Sequence, residues 1–148
     1  MLTCTLPHDA PVTLDLASDS ESGLIREVAA LLAGQPAVVS QGRFVEAVLE
    51  RQKLNPPLLG GGVALPHART PAVSEIVFAA GRCAEPVPFG GTQTPVRLVF
   101  LFGVPPHRIT EYLAMTAFLA RRLRDPAVLA GLMQAPDAES FRALLHGS

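Results

Sequence analysis

Leu58-Leu59-Gly60-Gly61-Gly62-Val63-Ala64-Leu65-Pro66-His67 runs from two leucines through three glycines into a short apolar strand closed by a proline. Consecutive glycines permit a turn whose backbone angles are closed to other residues, and proline withholds the amide that would continue a ladder. The reading predicts a strand over the apolar residues, with His67 just past its end. Loops at strand ends let a rigid scaffold present a reactive side chain while flanking amides stay available to an anion. The stretch marks both a sheet and a candidate site at its tip.

Working outward toward the N-terminus, Val12 to Leu16 reads as a first strand. Ser18, Asp19 and Ser20 then offer caps for a helix through Ile25, Val28, Ala29 and Leu32, which Gly34 and Pro36 stop. A second helix is predicted from Gln41 to Lys53, with Phe44, Val45, Val48 and Leu49 at helical spacing, Ser40 as cap, and Asn55, Pro56 and Pro57 ending it. Toward the C-terminus, Val73 to Ala80 and Val96 to Val104 are runs of strand length, rich in β-branched and aromatic residues. Between them, Pro86-Val87-Pro88-Phe89-Gly90-Gly91 is expected to be an irregular connection or edge segment. A helix from Thr110 carries Tyr112, Leu113, Thr116, Leu119, Ala120 and Leu123 as an apolar stripe, with Arg121, Arg122 and Arg124 where cations complement the dipole. Shorter helices follow at Pro126 to Gln134 and Asp137 to His146. The expected fold is a single domain over residues 1–148, a three-layer α/β/α arrangement with a mixed sheet of roughly four to five strands and about five helices.

Apolar residues make up 49% of the 148 and charged residues 17%, a balance that fills a core and excludes a disordered chain. Twelve basic and thirteen acidic residues leave a formal charge of -1, so no broad electropositive field points to nucleic acid. Two cysteines, Cys4 and Cys83, are far apart and in no metal-ligand or redox spacing, which fits a reducing cytoplasm. The N-terminus lacks a basic segment followed by an apolar run, and no apolar stretch reaches the roughly 20 residues of a spanning helix. A soluble cytoplasmic protein without direct membrane insertion is expected.

Of the four histidines, His8, His67, His107 and His146, composition alone makes each an ordinary surface or core residue. Position singles out His67. The string Gly60-Gly61-Gly62-Val63-Ala64-Leu65-Pro66-His67-Ala68 resembles the signature of the fructose/mannitol type enzyme IIA domains of the bacterial phosphotransferase system. Glu50-Arg51-Gln52 stands where that family has an Arg-Glu pair, Pro86-Val87-Pro88-Phe89 is similar to its Pro-x-x-Phe segment, and Leu119-Ala120-Arg121-Arg122-Leu123-Arg124-Asp125 to its late helix end. The likeness is greatest to stand-alone members, which include the nitrogen-related regulatory form.

The resemblance implies that His67 is phosphorylated. A neutral imidazole attacks phosphorus without metal or cofactor, and positioning and electrostatics carry the transfer. Arg51 is the first candidate to hold the phosphoryl charge through forked hydrogen bonds. The family's second histidine, on the late helix, is here Tyr112, which donates a hydrogen bond yet carries no positive charge near neutral pH. Gly61, Gly62, Ala68, Arg69 and His107 are the further candidates for phosphate or partner binding, Arg69 meeting the phosphoryl group, an acidic partner surface or solvent. Pro56-Pro57-Leu58 departs from the family's Ser-Thr-Gly and removes a hydroxyl. Leu58, Leu59, Val63 and Phe89 are candidates for an apolar rim. By the same resemblance the donor is an HPr-like phosphocarrier, and the recipient is a IIB domain or a regulatory protein target whose binding follows the phosphorylation state. A metal site from His67 and His107 lacks ligand spacing and is not expected.

Overall fold

The computed structural model describes residues 6–54 and 57–147; Cys4, Asn55 and Pro56, invoked above, lie outside the described residues. In chain order the elements are β1 (Val12–Leu16), α1 (Glu21–Ala30), α2 (Gln41–Leu54), β2 (Leu58–Leu59), β3 (Val63–Ala64), β4 (His67–Arg69), β5 (Val77–Phe89), β6 (Thr94–Val104), α3 (Ile109–Leu123), α4 (Pro126–Gln134) and α5 (Ala138–His146). Local chemistry sets the helix starts: Ser20 Oγ accepts from the Gly23 N–H, Asp125 from Ala127 and Asp137 from Ser140. Each such cap satisfies an amide the helix cannot and contributes about 1 kcal/mol.

The sheet is mixed, in the order β1-β5-β6-β3-β2, with β4 also on β6. β5 and β6 form the central antiparallel pair, while β1 runs parallel to β5, and β3 and β4 run parallel to β6. Alternation along the central strands divides the core. Val77, Ala79, Val99 and Leu101 face α1 and α2 with Ile25, Val28, Phe44 and Val48, whereas Phe78, Phe100 and Phe102 face α3, α4 and α5 with Leu119, Leu132 and Phe141. With both faces covered, the strands read as continuous apolar runs. The three layers are those expected.

Several local expectations are corrected. The sheet has six strands because the glycine stretch contributes three short ones. His67 follows the end of β3 as expected, but it is not in a loop; it opens β4. Pro66 has no amide to donate, but its carbonyl accepts from Phe102 N–H at 3.0 Å, so pairing with β6 resumes at once. The strand predicted from Val73 begins at Val77, since Val73 bridges instead to Val38. Pro86 to Phe89 is no irregular connection but the end of β5. Between the pairs Arg82↔Leu98 and Val87↔Val96, the segment Cys83 to Pro86 bulges against Arg97 alone, and the ladder recovers because Val87 and Phe89 are anchored in the core. Leu113, placed on the apolar stripe of α3, is 58% exposed; the buried face runs through Tyr112, Leu119 and Leu123.

Candidate functional site

Strand geometry puts His67 and Arg69 on one face of β4 and Ala68 on the other, buried in the core beneath α2. Phe102 N–H donates to the Pro66 carbonyl and Thr70 N–H to the Val104 carbonyl at 2.8 Å, so even-numbered residues turn their peptide groups to β6. The peptide N–H groups of His67 and Arg69 are thereby directed to the opposite side, where no strand pairs with β4 among the described residues.

A cavity of about 520 Å³ opens beside the His67 ring. α2 contributes Ala47, Glu50, Arg51 and Leu54 to its wall, β4 contributes Ala68 and Arg69, and Val104, Ile109 and Tyr112 close the far side. The helical spacing of Ala47, Glu50, Arg51 and Leu54 brings one face of α2 to the site, and Ile109 and Tyr112 do the same for α3.

His67 is half-buried, and its Nδ1 lies 3.0 Å from the Leu65 carbonyl oxygen. A carbonyl only accepts, so Nδ1 carries the proton in this contact and Nε2 keeps its lone pair. Burial lowers the His67 pKa from its ordinary 6.5; the Leu65 contact opposes that shift and the Arg51 guanidinium adds to it. The ring is therefore neutral at pH 7. Tyr112 packs against it with centroids 5.2 Å apart and planes inclined by 34°, and is itself steadied edge-on by Phe102 at 5.4 Å. Burial pushes the Tyr112 hydroxyl up to about 12, against the pull of Arg51, so it stays a neutral donor. One neutral imidazole, one phenol and the Arg51 guanidinium converge, with Arg69 in the same cavity wall, a set suited to an incoming anion.

Arg51, Ala68, Arg69 and Tyr112 are thus brought to His67. Gly61 and Gly62 are not. Their φ angles of 79° and 81° form the β2–β3 turn, which explains the glycines. Gly62 meets β6 at Arg97, five positions from Phe102, the partner of His67, which is about 16 Å along a strand. His107 is exposed on a 3-10 turn, Pro106–Arg108, and does not line the cavity. Its neighbour Arg108 anchors that turn through ion pairs with Glu75 and Glu111 at 3.1 and 2.6 Å. The expected rim also moves: Leu58 and Leu59 sit in β2, Val63 and Phe89 are buried, and Leu54, 81% exposed, and Ile109 stand at the cavity. Sequence reading missed Glu50, Leu54 and Ile109 as wall residues, although their spacing from Arg51 and Tyr112 on amphipathic helices places them on the same faces.

A family model described as "Phosphoenolpyruvate-dependent sugar phosphotransferase system, EIIA 2" matches residues 8–147, and the chain belongs to that family. A nitrogen regulatory protein of Bradyrhizobium diazoefficiens is 31% identical over 131 residues, 88% of this chain and 85% of that protein. The crystal structure of nitrogen regulatory protein IIA-Ntr from Neisseria meningitidis superposes with a TM-score of 0.82 at 32% identity, covering 90% of this chain and 92% of the other. The 2-O-alpha-mannosyl-D-glycerate-specific EIIABC component of Escherichia coli is 31% identical over 95% of this chain, which spans only 22% of that component. No helix among the described residues is long and apolar enough to cross a membrane.

Proposed function

We propose that the chain is a cytoplasmic phosphocarrier in which His67 accepts a phosphoryl group from an HPr-like donor and passes it to a IIB domain. One observation carries this reading: the neutral His67 ring, its Nδ1 engaged by the Leu65 carbonyl, stands in a cavity walled by Arg51 and Arg69. Nε2 attacks the phosphorus of the donor's phosphohistidine. As the new N–P bond forms the donor's N–P bond breaks, and the electron pair leaves with the donor imidazole, which takes up a proton from solvent. Arg51 and Arg69 offset the charge of the group in flight, Tyr112 supplies a hydrogen bond, and neither metal nor organic cofactor enters. Onward transfer reverses the same step.

A second reading, in which the phosphoryl group is a signal controlling association with a regulatory protein, is favoured by two observations. Nitrogen regulatory proteins match this chain over most of their own length, and Tyr112 adds no positive charge to draw the next phosphoryl exchange forward. Incubation with phosphoenolpyruvate, enzyme I and HPr, read by intact mass, tests the step both share. Wild type is expected to gain one phosphoryl group and His67→Ala none; equal labelling of the two sinks the proposal. Fast discharge to a purified IIB domain then favours cargo, and a persistent phospho-form that alters binding to another protein favours signalling.

A further inference from the structure

Arg51 stands in the last turn of α2, where the final carbonyls have no intrahelical donors and a helix frays unless something outside it holds the turn. The Lys53–Glu50 ion pair of that turn, 3.0 Å long, has both side chains exposed to solvent and holds little. The buried stripe of α2 is Phe44, Val48 and Gln52. Two apolar side chains are thus followed, beside Arg51, by an amide that is only 6% exposed. An apolar side chain at that position would hold the turn to the core without fixing its angle, because hydrophobic burial has no direction. A hydrogen bond fixes both direction and distance.

The Gln52 Nε2 donates to Glu21 Oε2 at 2.6 Å, and Glu21 Oε1 accepts the Gly90 N–H at 2.9 Å, so the carboxylate is engaged on both oxygens and the orientation of the amide is settled. Bonds to an ionised acceptor are stronger than neutral ones. Glu21 opens α1, and Gly90, at φ 72°, is the first residue after β5. A latch therefore runs from the last turn of α2 across the first turn of α1 to the turn between β5 and β6. The Gln52 Oε1 is buried with no hydrogen-bond partner among the described residues, a cost that a methionine of similar shape would not incur. Stability alone does not explain the amide.

Arg51 and Gln52 are successive residues, about 100° apart around the helix, one in the wall of the His67 cavity and the other in the core. Any rotation or fraying of the turn moves the two together. We propose that Gln52 is a positioning residue for the phosphoryl site: through Glu21 and Gly90 it fixes the rotation of the last turn of α2, and with it the place of the Arg51 guanidinium beside His67. Gln52 touches neither the imidazole nor the phosphoryl group and acts only through Arg51. Its consequence for transfer rests on the phosphocarrier reading, whereas the placement of Arg51 does not.

The Arg51 charge lowers the His67 pKa, so the imidazole reports where the guanidinium stands. The test is an NMR titration of the histidine ring nitrogens in the unphosphorylated full chain, for wild type, Gln52→Met, Arg51→Ala and the double variant, with loading from phosphoenolpyruvate through enzyme I and HPr timed on the same proteins. In Gln52→Met the His67 pKa is expected to rise toward its ordinary value and loading to slow about tenfold, with the melting temperature nearly unchanged. In the Arg51→Ala background the same substitution is expected to add nothing, which separates an effect through Arg51 from a general loosening. Glu21→Ala, which opens the latch from its other end and serves should Gln52→Met fail to fold, is expected to act alike. Glu21→Gln is expected to restore the wild-type behaviour, since its amide oxygen accepts the Gly90 N–H and its Nε2 donates to Gln52 Oε1 once that amide turns over. An unmoved His67 pKa in Gln52→Met, wild-type loading beside a moved pKa, a shift that persists without Arg51, or Glu21→Gln behaving as Glu21→Ala overturns the proposal. The titration needs no phosphoryl donor, so a wild type that takes no phosphoryl group sinks the phosphocarrier reading and leaves the latch to be decided by the pKa.

Discussion

On the proposed reading, a single hydrogen bond decides which nitrogen of His67 accepts the phosphoryl group. The Leu65 carbonyl holds Nδ1, and burial with the nearby Arg51 keeps the ring neutral, so the nucleophile is present without a general base. Since the pKa is lowered from 6.5, the neutral fraction persists as pH falls below that value. The rate of phosphoryl acceptance by this protein, measured by rapid quench with donor ionisation held as control, is expected to stay flat through pH 6.5 and to fall only on the acid side. A midpoint at or above 6.5 contradicts the assigned environment. Arg51→Ala removes a guanidinium within electrostatic reach of both rings and is expected to slow loading about tenfold to a hundredfold, read in the same assay. Tyr112→Phe keeps the tilted ring contact and isolates the hydroxyl: melting is expected to change little while the loading rate drops, and an unchanged rate removes Tyr112 from the chemistry. That His67, Arg51 and Tyr112 share one cavity was legible in the sequence because the order of the family's segments survives, even though Tyr112 replaces the motif's histidine. The roles first given to Gly61, Gly62 and His107 came from adjacency in the chain. Distance along β6 and the outward 3-10 turn separate those residues from the ring, and neither is written in local sequence.

At the scale of elements, α2 is held to the sheet by close approach. A Cβ added at Gly103 of β6 meets Phe44 Cε1 at 2.6 Å and Val77 Cγ2 at 2.8 Å, so the helix that carries Arg51 packs directly on a residue without a side chain. Gly103→Ala is expected to destabilise by about 1–3 kcal/mol in chemical denaturation and to slow loading by displacing α2. Wild-type stability contradicts this packing account. Helix positions were legible because Phe44, Val45, Val48 and Leu49 repeat at helical spacing after the Ser40 cap, and Tyr112, Leu119 and Leu123 do so in α3, which starts without a side-chain cap. Strand boundaries were harder. Pro86 and Pro88 argue against a strand locally, yet burial of Val87 and Phe89 and the preceding bulge retain them in β5, a tertiary effect that overrides local preference.

For the whole molecule, three layers followed from two long apolar strands flanked by amphipathic helices, which has few other packed solutions. The order of strands was not legible, because the pairing of β3 and β4 with β6 joins residues more than thirty apart in the chain and depends on closing the fold. Global stability should also respond to pH in a stated direction. His67 and His146 both have lowered pKa values, chiefly through burial, with His8 stacked on His146 at 4.0 Å adding repulsion. The unfolded chain therefore binds more protons below its ordinary value of 6.5, and stability is lost as pH falls through 6.5 toward the folded pKa values. Urea midpoints are expected to decline from pH 7.5 to 5.5, and less so in His67→Gln; a flat or rising midpoint contradicts the assigned burial.

The most direct measurement is the position of the phosphoryl group after loading from phosphoenolpyruvate through enzyme I and HPr, read by ³¹P–¹⁵N correlation on protein labelled at its histidine nitrogens. Attachment to Nε2 of His67 is the expected result. Attachment to Nδ1, to another histidine, or no attachment contradicts the account.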